Sequence, residues 1–334
     1  MLKIDLLKLN SQQREAVEHN DGPLLIVAGA GTGKTTAVSS RIARLIEDGL
    51  ASPEEVLALT FSDKAAQEMA DRVDDLLASG YLDLWISTFH SFCERILRDH
   101  GLDIGLAPNF KVLDQTGAWL MVRQNLDRFK LKYYKPLGNP TKFIRALLDH
   151  FSRCKDQGIT PKDYLIWAKS ADSGEKEKIT EVARAFHVYQ TLLLEAGALD
   201  FGDLLAYALQ MLNKRPAILK HWRAKFKYVL VDEFQDTNWI QYQLVKLLAA
   251  PKNNIAVCAD DDQAIYRWRG ASFGNIVAFK RDFPNAKTVT LTKNYRSCQN
   301  ILDLSYKFIQ ANNPYRLEYI NKIDKHLKAA DNCS

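Results

Sequence analysis

Leu24-Leu25-Ile26-Val27-Ala28-Gly29-Ala30-Gly31-Thr32-Gly33-Lys34-Thr35-Thr36 is the stretch that decides the fold. Its apolar start, Leu24 to Ala28, is short and closed by glycine, which reads as a buried strand of a parallel sheet. A glycine-rich turn between a strand and a helix presents successive backbone N–H groups to a polyphosphate, and the helix dipole favours negative charge there. Lys34 is expected to reach the β- and γ-phosphates and Thr35 to offer its hydroxyl to Mg²⁺. Gly29, Ala30, Gly31, Thr32, Gly33, Lys34, Thr35 and Thr36 therefore form the expected nucleotide-phosphate-binding run, with Ala28 where a first glycine is usual. The loop alone does not choose among kinases, GTPases and motors.

Further apolar runs at Val56 to Phe61, Leu84 to Ser87, Tyr228 to Val231, Ile255 to Ala259 and Thr288 to Leu291 read as more strands. Helical patterns follow at Thr35 to Glu47, Ala65 to Leu77, where Ser62 is a plausible N-cap, and Trp239 to Ala249. Strand, loop and helix alternate as a doubly wound α/β core requires. From about Phe92 to Leu199 the alternation stops, and Thr116 to Phe129, Thr141 to Cys154 and Lys178 to Ala196 follow a helical period. An all-helical subdomain is expected to interrupt the core, broken internally at Pro136 to Pro140 and at Asp172 to Gly174.

The 334 residues exceed one average domain, and 47% apolar with 25% charged residues describes a soluble globule. A net charge of +5 decides little, but nine Lys or Arg against two Asp between Met121 and Lys155 make that segment cationic, a possible grip on phosphates. Cys93, Cys154, Cys258, Cys298 and Cys333 are widely spaced and form no zinc pattern, as expected of reduced thiols in a cytoplasmic protein. No run approaches the ~18 apolar residues that span a bilayer, so no membrane partner is expected.

Val231-Asp232-Glu233-Phe234-Gln235-Asp236-Thr237 supplies a second chemical site. At a strand end Asp232 can hold Mg²⁺, and Glu233 can orient and deprotonate an attacking water. Adjacent carboxylates there are costly unless a cation neutralises them. Farther on, Tyr266, Trp268 and Arg269 follow Gln263 within six residues, a loop whose aromatic faces could stack on unpaired bases.

Asp232 to Thr237 resembles the second motif of superfamily one helicases of the UvrD/Rep/PcrA type, and further matches run along nearly the whole chain. The resemblance implies a RecA-like P-loop NTPase sheet over 1–91 and 200–290, an inserted helical subdomain over 92–199, and the start of an incomplete second RecA-like core over 291–334. Phe283 to Leu291, Asn294 to Arg296 and the helix-like Gln299 to Ala311 look like that opening. Leu9 to Val17 looks like the family's Q motif, which implies that Gln13 reads the adenine edge, a task an amide suits because it donates and accepts together. Leu291 to Ser297 resembles the fourth motif, implying that Arg296 touches the γ-phosphate and Tyr295 stacks near the base. By the same resemblance Gln263 senses the γ-phosphate, Trp268 stacks on a base, and Tyr266 and Arg269 line the strand.

Thr60 to Ala66 and Ser87 to Ser91 resemble motifs Ia and Ib, implying contacts from Phe61, Thr88 and His90 to single-stranded DNA. Asp63 departs from the family's usual Asn. Asp200-Phe201-Gly202-Asp203 also resembles a family segment, its acids read as helix-start residues. The expected activity is ATP- and Mg²⁺-dependent translocation on single-stranded DNA and single/double-strand junctions, by a monomer, 3′ to 5′. The family's motifs V and VI do not occur before Ser334, so the chain alone should unwind poorly. Two rivals remain open: a single-strand-binding module with a vestigial ATP site, and a P-loop enzyme that phosphorylates a small acceptor.

Overall fold

The computed structural model describes residues 8–77, 84–264 and 274–330. Ten strands occur among these residues: β1 (Leu24–Ala28), β2 (Val56–Thr60), β3 (Trp85–Thr88), β4 (Lys111–Leu113), β5 (Ala198–Asp200), β6 (Tyr228–Val231), β7 (Ile255–Ala259), β8 (Lys287–Leu291), β9 (Lys293–Asn294) and β10 (Lys328–Ala329). Six of them form one sheet in the order β3-β2-β6-β7-β1-β8, and every pairing in it is parallel. Helices cover a parallel sheet on its faces, so its strands read as unbroken apolar runs. The wholly buried Leu-Leu-Ile-Val-Ala of β1 is such a run.

Leu24, Ile26 and Ala28 face the cluster that holds Ile42, Leu45 and Ile46 of the helix Lys34–Glu47 and Met69 and Val73 of the helix Asp63–Leu76. Ser62 caps that second helix by accepting from the Ala65 N–H at 3.2 Å, a device worth about 1 kcal/mol. Trp85 on the sheet's edge strand β3 meets Trp222 and Phe226 edge to face at 5.4 and 5.3 Å.

The chain divides into two compact units. One holds the six-stranded sheet and comprises the described residues up to Phe89, Leu219–Asn238 and those from Tyr242 onward. The other comprises His90–Ile218 with Trp239–Gln241. This second unit reaches past residue 199, because the helix Phe201–Lys214 belongs to it and Asp200 and Asp203 at that helix's start pair with Lys155. Its core stacks Phe151 on Phe186 at 4.9 Å, beside Tyr189. The insertion is not wholly helical: Lys111–Leu113 and Ala198–Asp200 pair as a short parallel ladder where its chain enters and leaves. Three residues are too few to show a period in sequence.

Lys287–Leu291 pairs with β1 as the sixth strand of the main sheet, in place of opening a second core. Beyond it, β9 and β10 form a separate two-stranded parallel pair around the helix Gln299–Ile309. No helix among the described residues is long and apolar enough to cross a membrane. Cys93, Cys154, Cys258 and Cys298 are not joined in disulfides.

Candidate nucleotide site and nucleic-acid interface

Four adjacent strands, β6, β7, β1 and β8, deliver four of the sequence motifs at their carboxyl ends. Ligands of open α/β sheets gather on that edge. The loop after β1 is drawn tight by Thr32, whose hydroxyl donates to the Gly29 carbonyl at 2.8 Å. Gly31 and Gly33 hold φ of 75° and 80°, a left-handed backbone that glycine takes without penalty. Close approach also forbids a side chain: a Cβ on Gly31 would lie 2.7 Å from Asn294 Nδ2 and Arg296 Cβ, and one on Gly33 2.6 Å from Gln13 Nε2. Gly33 N-caps the helix that starts at Lys34, placing Thr35 and Thr36 in its first turn.

The helix Ser11–Glu18 begins with a capping box, in which Asn10 Oδ1 accepts from the Gln13 N–H at 2.8 Å and Gln13 Oε1 from the Asn10 N–H at 3.1 Å. Gln13 Nε2 donates to the Thr32 carbonyl at 2.9 Å, and the residue is only 4% exposed. A surface role for Gln13 is thereby excluded. Arg41, buried in the helix Lys34–Glu47, donates to the carbonyls of Ala16, His19 and Asn20 and ties the two helices together.

Across the loop, Lys34 Nζ donates to Glu233 Oε2 at 3.0 Å. Burial opposes the ammonium charge most strongly, but the acidic groups around it, Glu233 first, together outweigh it and raise Lys34 above the ordinary lysine value. Asp232 is buried beside this pair, and its Oδ1 accepts from the Glu233 N–H at 2.9 Å. Burial first, and the Glu233 charge second, push the Asp232 carboxyl up to about 6. Two neighbouring carboxylates with one lysine are short of positive charge, and a divalent cation fits that deficit. Asp236, also pushed up to about 6 by burial and then by Glu233, deepens it.

A polar path continues to the next strand. Gln235 donates from Nε2 to Glu233 Oε2 at 2.6 Å and accepts at Oε1 from the Asp260 N–H at 2.9 Å. Asp260 Oδ2 in turn accepts from Gln263 Nε2. On the β8 side, Asn294 Nδ2 donates to the Ala30 carbonyl at 2.7 Å, while its Oδ1 accepts from the N–H groups of Arg296 and Ser297, each at 2.8 Å. Tyr295 donates its N–H to the Gly31 carbonyl at 2.8 Å, and its hydroxyl accepts from Asn10 Nδ2 at 2.9 Å. Arg296 is exposed at the lip of the loop. The structure thus gathers Gln13, Gly29 to Lys34, Asp232, Glu233, Tyr295 and Arg296 around one turn, with Gln263 two bonds from Glu233's partner Gln235.

The expected nucleic-acid residues are placed less completely. Phe61, half-buried, follows β2, and Thr88 ends β3 with 7% exposure. His90 lies in the helix Phe89–His100 and meets Phe201 edge to face at 5.6 Å. Tyr266, Trp268 and Arg269 lie outside the described residues. Three of the nine cations in the basic stretch have carboxylate partners within the chain: Arg128 pairs with Glu195 at 2.7 Å, Lys135 with Asp127 at 2.6 Å, and Lys155 is buried against Asp200 and Asp203 at 2.7 and 2.8 Å.

Sequence reasoning passed over Gln235, Asn294 and Gln12, whose Oε1 accepts from the Thr292 N–H at 2.9 Å. It read no role for Phe201, which leaves 49% of itself exposed beside His90. Gln235 and Asn294 are amides next to the charged motif residues Asp236 and Lys293, which is the signal that was present.

A glycine-rich loop, an Asp-Glu pair and a glutamine sensor candidate, each at the end of a parallel strand, define a RecA-like P-loop nucleotide-binding domain. The chain belongs to the UvrD/REP helicase family, residues 9–284 matching the UvrD/REP helicase N-terminal domain. It is 42% identical over 91% of its length to ATP-dependent DNA helicase PcrA of Leuconostoc citreum and 41% identical over 91% to that of Bacillus subtilis. A probable DNA helicase II homolog of Rickettsia felis is 42% identical over 91% of the chain. The chain spans 39%, 40% and 45% of the length of these three relatives.

Proposed function

We propose that the chain is the ATP-binding, DNA-dependent ATPase portion of a 3′ to 5′ DNA helicase that acts as a monomer on single-stranded DNA and single/double-strand junctions. The observation that carries this reading is the Lys34–Glu233 ion pair at 3.0 Å, which sets a phosphate-loop lysine against a candidate general base across neighbouring motifs. In this reading the unit that holds the six-stranded sheet is the ATPase core, His90–Ile218 the inserted subdomain, and the chain beyond Leu291 leads toward a second core.

A triphosphate on the loop would draw Lys34 from Glu233 and free that carboxylate to orient a water and take its proton. Gln13 would read adenine from its place against Thr32, with Tyr295 near the base. Thr35 and Asp232 would hold Mg²⁺, whose charge offsets the phosphate oxygens and the carboxylate pair. Arg296, always charged and at the lip of the loop, would meet charge developing on the terminal phosphate. Phe61, Thr88 and His90, with Tyr266, Trp268 and Arg269, would hold the strand.

Binding of a fluorescent ATP analogue, and ATP consumption with and without single-stranded DNA, test the reading. Strand binding with no nucleotide binding would favour a module with a vestigial ATP site. DNA-independent consumption with a phosphorylated small product would favour a kinase.

A further inference from the structure

We infer that Lys325 is a positioning residue for Gln263: its ammonium, seated among Asp260, Asp261 and Asp262, fixes the loop so that the glutamine amide can answer to the terminal phosphate. The inference rests on the nucleotide reading proposed above.

Three consecutive aspartates bring carboxylate oxygens within 4.8 Å of one another, a spacing that calls for a cation. Lys325 supplies it. Its Nζ donates to Asp260 Oδ1 at 3.1 Å, to Asp262 Oδ2 at 2.8 Å and to Asp261 Oδ1, and the residue is 6% exposed. Arg316 adds a two-pronged contact, Nε and Nη2 each 2.8 Å from an oxygen of Asp262. The Leu317 N–H takes the remaining oxygen of Asp261 at 2.8 Å. With Gln263 on Asp260 Oδ2, each of the six carboxylate oxygens has a donor. The acidic run is therefore a socket for a segment more than fifty residues downstream.

Asp260 is where this socket meets the nucleotide chemistry. Lys325 occupies its Oδ1, which leaves Oδ2 to Gln263, while Gln235 holds its N–H. Gln235 also holds Glu233, which holds Lys34, so an unbroken polar path runs from Lys325 to the phosphate-loop lysine. Without the ammonium, three crowded carboxylates lose their main counter-charge, and Asp260 is free to turn and take Gln263 with it. Breaking a buried pair by removing one partner leaves an uncompensated charge that its surroundings must accommodate.

A change that merely loosened the fold would weaken all nucleotides alike, whereas a misplaced sensor weakens only those with a γ-phosphate. The test is the affinity of the full chain for ATPγS and for ADP, each with Mg²⁺, in wild type, Lys325→Met, Lys325→Arg, Gln263→Ala and the Lys325→Met/Gln263→Ala double variant. Lys325→Met should cut the ATPγS-to-ADP affinity ratio about tenfold, within the usual range of site-to-site coupling, and leave ADP affinity within about twofold. Lys325→Arg should restore most of the ratio. The double variant should lose no more than Gln263→Ala alone, since contacts in one network are not additive. Should Lys325→Met not fold, Lys325→Gln, uncharged but able to hydrogen-bond Asp260, should show the same loss. Equal weakening of both nucleotides, or additive losses in the double variant, overturns the inference. If wild type binds neither nucleotide, the nucleotide reading itself falls first and takes this inference with it.

Discussion

Lys34 Nζ stands 3.0 Å from Glu233 Oε2, and Glu233 holds that position with φ of 49°, a left-handed backbone that glutamate seldom adopts. Such a conformation costs about 1 to 3 kcal/mol and persists where the surroundings impose it. Here the Lys34 and Gln235 contacts do so, closing the phosphate loop against the end of β6. A nucleotide must compete with Glu233 for the lysine. Glu233→Gln removes that competitor together with the candidate base. ATP affinity should rise a few-fold while hydrolysis falls about 10²- to 10⁴-fold, as loss of a general base predicts. Equilibrium binding and single-turnover hydrolysis on one preparation check both signs.

Lys34→Ala acts on the other partner. It should abolish hydrolysis and weaken ATP binding, yet leave single-strand affinity within about twofold, because base stacking and backbone contacts carry the latter. Filter binding of a labelled oligonucleotide beside an ATPase assay decides this, and joint loss of both activities would mean that the two surfaces are misassigned.

Asp232 gives a pH signature. Its carboxyl titrates at about 6 in the folded chain against an ordinary 3.8, so between those values the folded state binds the proton more tightly than the unfolded chain. Stability from this group is therefore full below the unfolded value and is lost as pH rises through about 6. Asp232→Asn removes the loss, and should stabilise the nucleotide-free chain by about 1 to 3 kcal/mol above pH ~7 and by little near pH ~4. Thermal melts at the two pH values read the difference, and an equal gain at both would refute it.

The core strands and the phosphate loop were legible because their signals are local: five buried residues, then glycines that the turn and its neighbours require. The partners of that loop were not. Asn294 touches Ala30 across 264 positions and Gln235 reaches Asp260 across 25, contacts that a reading of single motifs does not contain. Lys155 shows the opposite failure. Charge counted along the chain put it in a cationic segment that could grip phosphates, whereas the fold turns it inward between two aspartates. The short ladder of β4 and β5 was hidden because three residues carry no period.

Lys155 accordingly belongs to stability. Its ammonium bonds Asp200 and Asp203 in the interior of the second unit, with the Tyr189 hydroxyl also donating to Asp200 at 2.9 Å. Lys155→Met strands the buried Asp203 and the partly buried Asp200 and should cost about 3 to 5 kcal/mol, read as a lower denaturation midpoint. Strand affinity measured where the variant is folded should match wild type. A loss of affinity without a loss of stability would return Lys155 to the nucleic-acid surface.

Phe201 is a candidate for stacking on the strand, and its geometry makes that testable. It sits directly after the N-cap Asp200, which accepts from the Asp203 N–H at 2.9 Å and so fixes where the helix starts. That cap leaves the ring on the surface at 49% exposure, edge-on to His90 at 5.6 Å with an interplanar angle of 83°. An edge-to-face pair leaves one broad ring face free, and a base stacked on an aromatic face contributes about 1 to 3 kcal/mol. Burying little, Phe201→Ala should change the melting temperature slightly, but it should weaken single-strand binding by about 5- to 100-fold with ATP affinity unchanged. Phe201→Tyr keeps the face and should bind nearly as wild type, and fluorescence anisotropy with a short labelled strand separates the three proteins. Unaltered affinity in Phe201→Ala would make this pair a surface packing contact and move the strand elsewhere.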